Sequence, residues 1–230
     1  MIKKLRKYFG DKLIYYYYAS KGKLLYNFTK SISDNQGGGV IDLIKKIKSE
    51  TEMLLADQEA YLIYTTVKKL EKIEGDIAEV GVYKGGSAKL IREATQKPLY
   101  LFDTFEGLPE ISEYDSEQNK KGIYSASLEE VKDYLKDYKN IHFYKGIFPE
   151  TTSYVEDKKF SFVHLDVDIY QSTLDSLKFF YPRIVKGGVV ISHDYRNSKG
   201  VKKAFDDFFQ DKPEIIIQPF TTDQCLIVKV

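Results

Sequence analysis

The chain has 230 residues, 43% hydrophobic and 30% charged, with 35 Lys+Arg against 34 Asp+Glu. This composition excludes a disordered or collagen-like chain, and the length suits one complete α/β domain with a modest appendage. The longest charge-free stretches, Leu13–Ser20, Ala60–Val67 and Ile215–Thr222, hold eight residues each, far short of the ~20 apolar residues of a membrane span. The single cysteine, Cys225, permits no internal disulfide and fits a reducing, cytoplasmic setting.

The net charge of +1 hides an asymmetry. Residues 1–30 carry eight basic side chains against Asp11 alone, so the other 200 residues are acidic by about six charges. The leader is also aromatic, with a run of tyrosines from Tyr15 to Tyr18. Three placements are open to such a segment: a packed cap or homo-oligomer arm, peripheral membrane contact through residues 1–30, or a cleaved signal. Asp11 and Lys12 interrupt it early, which speaks against the signal. Outside it the chain lacks a basic stripe, so nucleic acid is not the expected partner.

A glycine-rich run at Ser33–Gly39 closes the leader. Helices are predicted at about Val40–Ser49 and Asp57–Ile73, the second with Asp57 as cap and Leu62, Ile63, Val67 and Leu70 at helical spacing. This divides the chain into an extension, 1–56, and a domain, 57–230. From Asp76 short apolar runs alternate with amphipathic ones. Strands are predicted at Ile77–Gly81, Leu99–Asp103, Ile141–Lys145, Phe160–Asp166 and Gly188–Ser192. Helices are predicted at Gly85–Thr95, Ser127–Tyr138, Ser172–Val185 and Lys199–Gln210. Such alternation implies a parallel sheet covered on both faces. Glu214–Phe220 and Gln224–Val230 read as a terminal antiparallel hairpin.

Ligands of open α/β sheets bind beyond the carboxyl ends of the strands. The first strand runs into Glu79-Val80-Gly81-Val82-Tyr83-Lys84-Gly85-Gly86-Ser87, whose glycines permit close backbone approach. The second ends in Asp103, some twenty positions beyond that loop, where a carboxylate can accept both hydroxyls of a ribose. The fourth ends in His164-Leu165-Asp166-Val167-Asp168, and the fifth in Ser192-His193-Asp194-Tyr195. Carboxylates from neighbouring strands at one rim can hold a divalent cation or act as a general base, whereas Asp168 also suits capping of the next helix.

These motifs resemble the macrocin O-methyltransferase family, class I S-adenosylmethionine-dependent enzymes that include methylases of sugar hydroxyls on macrolide and aminocoumarin antibiotics. The resemblance runs from about Met53 to Tyr195. It rests on Glu79–Val82 with Gly85-Gly86-Ser87, on Phe102–Pro109, on Leu165–Thr173 and on Gly187–Tyr195. It implies a Rossmann-like, seven-stranded methyltransferase sheet, five parallel strands plus the hairpin. Carried over, it places Glu79, Gly81, Gly85, Gly86 and Ser87 around the methionine part of S-adenosylmethionine. Asp103 falls on the ribose and Lys145-Gly146-Ile147 near the adenine.

The resemblance also implies magnesium on the residues matching Asp166 and the pair His193-Asp194, where the family has an acidic pair. Magnesium prefers oxygen ligands, whereas imidazole suits softer ions. Three arrangements follow: Asp166 and Asp194 hold magnesium without His193; a softer metal uses Asp166, Asp194 and His193; or no metal binds and His193 is the general base. Asp166 and His193 are the catalytic candidates for a single displacement at a small-molecule hydroxyl. Residues 106–124 are long enough for a lid. His142 and His164 read as structural. Methyl transfer to nitrogen or carbon on the same fold, and a non-catalytic adenosine-binding scaffold, are the competing readings.

Overall fold

The computed structural model describes residues 39–230, of which residues 46–230 form one compact unit. The leader, its tyrosine run and most of the glycine-rich boundary lie outside the described residues. Helix α1 spans Gly39–Glu50 and α2 Asp57–Lys69, with a 3-10 turn at Leu70–Lys72. The rest alternates as β1 Asp76–Val80, α3 Gly86–Ala94, β2 Leu99–Asp103, α4 Leu128–Tyr134, β3 Ile141–Lys145, β4 Phe160–Leu165, α5 Tyr170–Phe180, β5 Ile184–Ser192, α6 Lys199–Phe209 and β6 Cys225–Val228. None of the described helices is long and apolar enough to cross a membrane.

The sheet has the order β3-β2-β1-β4-β5-β6, with every pair parallel except β5–β6. Six strands form among the described residues, one fewer than the seven expected. The segment predicted as Glu214–Phe220 contributes a single antiparallel bridge, Ile217 with Leu226. Pro213 precedes it and Pro219 lies within it, and a proline can donate no ladder hydrogen bond.

Side-chain alternation divides the strands between two cores. Ala78 and Val80, Tyr100 and Phe102, and Val163 and Leu165 join a buried cluster that includes Phe180 of α5 and Phe205 and Phe209 of α6. Ile77, Leu99, Leu101 and Phe162 point the other way and are fully buried. α2 packs on α3 and α5 on α6. The helix predicted to run to Val185 stops at Phe180, because Pro182 tightens the chain into a 3-10 turn and β5 begins at Ile184. Asp57 does not cap α2. It pairs with Lys48 at 2.6 Å, while Glu59 reaches back to the Ala56 N–H at 2.8 Å.

The register brings the strand ends level. Val80 lies beside Phe102 on one side and Leu165 on the other, and Leu165 lies beside Ser192. The ladder continues one residue past the strands, through Gly81 N–H to Phe102 O, Asp166 N–H to Val80 O and His193 N–H to Leu165 O at 2.8–2.9 Å. Gly81, Asp166 and His193 therefore stand side by side at the rim. A Cβ on Gly81 would sit 1.8 Å from the Asp166 carbonyl oxygen, and its φ is +86°. Glycine there is what lets β1 and β4 converge.

Candidate active site

Beyond these strand ends lies an open cleft enclosing about 1100 Å³, solvent at its mouth included. Gly81, Gly86, Ser87, Asp103, Asp166, His193 and Asp194 line it together with Asp168. Glu79 and Gly85 do not. Alternation along β1 turns Glu79 beneath the cleft floor, where it is fully buried and meets His164 Nδ1 at 2.8 Å. Gly85 is the left-handed residue preceding α3, and a Cβ there would press on Val131 of α4 at 3.1 Å. Gly86 faces the cleft but also packs tightly, since a Cβ would lie 2.7 Å from that of Met53.

Asp103 organises its side of the rim. One carboxylate oxygen accepts from the Val82 and Tyr83 N–H groups at 2.6 and 3.0 Å, and the other from the Phe105 N–H at 2.7 Å. A carboxylate offers about four lone-pair sites, two per oxygen, so the first oxygen is filled and the second keeps acceptor capacity toward the cleft. Beside it, Leu108, Ile147 and Phe148 give the cleft an apolar wall.

Across β1, the ends of β4 and β5 form an acidic cluster around one imidazole. His193 Nδ1 lies 3.2 Å from Asp166 Oδ1 and 3.1 Å from Asp194 Oδ2, and its Nε2 lies 3.3 Å from Glu59 Oε2. Burial opposes a charge on His193, but Asp166, followed by Asp194 and Glu59, raises its pKa far above the ordinary value. An imidazolium has no lone pair with which to accept a proton. Burial likewise opposes the charge on Asp166, yet His193 outweighs it and holds that carboxyl below the usual range. Asp168 behaves oppositely, pushed up to about 9 by burial and by the Asp166 and Asp194 charges.

Two features escaped the sequence reading. Glu59 lies 134 residues from His193 along the chain, and only the fold joins them. The other is backbone strain: Tyr83, Phe105, Asp168 and Asp194, which follow the ends of β1, β2, β4 and β5 by two or three residues, have φ of +48° to +61°. Non-glycine residues pay about 1–2 kcal/mol each for that conformation, and such outliers gather at functional sites. Residues 106–124, read as a lid, are tied down at Asp115, whose carboxylate accepts the Tyr170 N–H at 2.7 Å at the start of α5. Asn119 donates to the Asp168 carbonyl at 3.2 Å.

Residues 61–224 match the family described as Macrocin-O-methyltransferase (TylF). Among curated relatives, the demethyldecarbamoylnovobiocin O-methyltransferase of Streptomyces niveus is 28% identical over 153 residues, 59% of this chain and 58% of that one. The mycinamicin III 3''-O-methyltransferase of Micromonospora griseorubida is 28% identical over 142 residues, 54% and 56% of the two chains. The matched region thus spans less than three fifths of either relative. Among solved structures, the O-methyltransferase NovP superposes with a TM-score of 0.66 at 24% identity, covering 76% of this chain and 81% of that one. The calicheamicin methyltransferase CalS11 does so with 0.64 at 14%, covering 84% and 93%. These likenesses establish the class I methyltransferase fold.

Proposed function

The chain belongs to the macrocin O-methyltransferase family, and on that premise we propose that it transfers a methyl group from S-adenosylmethionine to a hydroxyl of a sugar or glycosylated small molecule. One juxtaposition carries this reading: a carboxylate and glycine turn on β2 and β1, and an acidic cluster on β4 and β5, line the same cleft. The names of the relatives support the acceptor class, since they include a mycinamicin 3''-O-methyltransferase and a 4'-O-methyltransferase of a rhamnosyl tetracenomycin. In this reading residues 57–230 are the methyltransferase domain. Residues 1–56 are an extension, and its basic first 30 residues are the candidate for self-association or peripheral membrane contact in the cytoplasm.

When bound, S-adenosylmethionine supplies a methyl group already made electrophilic by its sulfonium. The chain has to hold that group in line with an acceptor oxygen and take away one proton. Asp103 binds the ribose through the carboxylate oxygen that the Val82 and Tyr83 amides leave free, and the apolar wall takes the adenine. Gly81, Gly86 and Ser87 leave room for the methionine part. Asp166 Oδ1 faces His193, which leaves Oδ2 for the acceptor. That oxygen orients the acceptor hydroxyl and receives its proton, while His193 keeps the carboxylate ionised beforehand.

Magnesium does not fit this donor set. It seeks near-octahedral oxygen ligation, whereas one of the three convergent donors is an imidazole nitrogen already at ion-pair distance from both carboxylates. The proposed steps therefore run through side chains alone. Chelation is expected to leave turnover within about twofold, and His193→Asp, by completing an oxygen-only set, to create magnesium binding measurable by titration calorimetry. Magnesium binding by the unsubstituted protein would reverse that assignment.

The overall reading is tested with the full chain, methyl-labelled S-adenosylmethionine and a panel of macrolide, aminocoumarin and rhamnosyl glycosides, with amine and nucleic acid controls. Label on a sugar oxygen is expected. Failure of the protein to bind S-adenosylmethionine, or label only on nitrogen or carbon, would overturn it.

A further inference from the structure

Glu59 is 3% exposed and stands in the first turn of α2, away from every motif of the strand ends. Its Oε1 accepts the Asp223 N–H at 2.8 Å, and its Oε2 accepts the Ala56 N–H at 2.8 Å. His193 Nε2 then lies 3.3 Å from Oε2. One carboxylate therefore gathers three segments: the entry to α2, the turn before β6, and the end of β5.

Two of the three partners are backbone amides, which can only donate, so both carboxylate oxygens act as acceptors. Burial works against the charge on Glu59, but His193 and the two amides together hold the group below the usual carboxylate range. An ionised acceptor fixed from two sides demands a donor opposite it. The nearest ring atom of His193 is Nε2, so the proton belongs there. With Nε2 engaged, the ring is held so that Nδ1 turns to Asp166 and Asp194. Each ring nitrogen thus has a carboxylate to donate to, Nε2 toward Glu59 and Nδ1 toward Asp166 and Asp194.

We infer that Glu59 is a positioning residue, fixing the ring of His193 with its Nε2–H pinned so that Nδ1 faces the Asp166–Asp194 pair. Glu59 lines no part of the cleft and acts only through His193. Without that anchor the ring is free to turn about its side-chain torsion, and the contact that holds Asp166 loses its geometry. The same bond ties the histidine to the segment entering α2, so packing of residues 51–56 against the domain is linked to the arrangement of the acidic cluster.

The chain has three histidines, which makes ring nitrogen NMR of the 15N-histidine-labelled full chain direct. His142→Gln and His164→Gln leave the His193 signals to be assigned. The expected result is a downfield, slowly exchanging Nε2–H on His193 that is lost in Glu59→Gln while the His142 and His164 signals stay put. A His193 ring without a proton on Nε2, or the same Nε2–H signal in Glu59→Gln, would overturn the proposal. If Glu59→Gln does not fold, the unsubstituted spectrum still decides the first point.

A kinetic arm rests on the methyl-transfer reading, whereas the spectroscopic arm does not, so the two can fail separately. With the glycoside that the panel identifies, Glu59→Gln is expected to lower kcat about tenfold or more and leave the KM for S-adenosylmethionine within about twofold. In a His193→Ala background the same substitution should cost nothing further. Equal losses in both backgrounds would mark Glu59 as a merely structural residue.

Discussion

Replacing Asp103 by alanine is expected to weaken S-adenosylmethionine binding by about 100-fold or more. A hydrogen bond to a charged group contributes about 1.5–3 kcal/mol, and the free oxygen of Asp103 would supply one near the upper end of that range. Tenfold in affinity corresponds to about 1.4 kcal/mol, so the direct loss alone reaches that size. Asp103 also anchors the backbone of Val82, Tyr83 and Phe105, two of which sit in the left-handed region at φ +48° and +54°. Removing the carboxylate frees both rim turns to relax toward ordinary backbone, and the pocket loses its preorganisation. Asp103→Asn, which keeps one acceptor oxygen, should fall between. Calorimetry with S-adenosylmethionine and S-adenosylhomocysteine, alongside circular dichroism as a check on folding, measures this. An affinity within threefold of the unsubstituted protein would remove Asp103 from the cofactor site.

Asp166→Asn should instead spare the cofactor and remove the chemistry. The substitution is nearly isosteric and leaves the backbone bond from Asp166 N–H to Val80 O and the close approach of Gly81 intact. What disappears is an acceptor that lines the cleft and is held ionised by His193. General-base assistance contributes about 10²–10⁴-fold, so kcat should drop into that range while cofactor affinity stays within about threefold. Steady-state kinetics with the acceptor found by the panel, paired with calorimetry, separates the two. Undiminished kcat would show that another group takes the proton, with Asp194, at the same rim, as the next candidate.

The central strands were largely legible because they are continuous apolar runs, as in Leu99–Asp103, and the edge strand Ile141–Lys145 also falls where the pattern placed it. β5 begins four residues earlier than predicted because Gly187-Gly188 reads as a turn, yet Gly188 is needed inside the strand, where a Cβ would lie 2.7 Å from Ile184 Cγ2. The terminal hairpin falls short of a full strand pair for a related reason: the β-branched run Ile215–Ile217 signals extended chain but says nothing of whether a partner's ladder is complete.

By itself the sequence determined the strand–helix order, the rim on which Gly81, Asp103, Asp166, His193 and Asp194 would meet, and the family. These depend on local periodicity and on motifs a few residues long. Only the tertiary structure decided what each group does there. It turned Glu79 beneath the cleft and spent Gly85 on packing. It also closed three carboxylates around His193, one of them brought from a helix 134 residues away. The physical reason is that the charge state and orientation of a buried group are set by whatever lies within about 4–6 Å of it, and those neighbours are chosen by strand register and helix docking rather than by order along the chain.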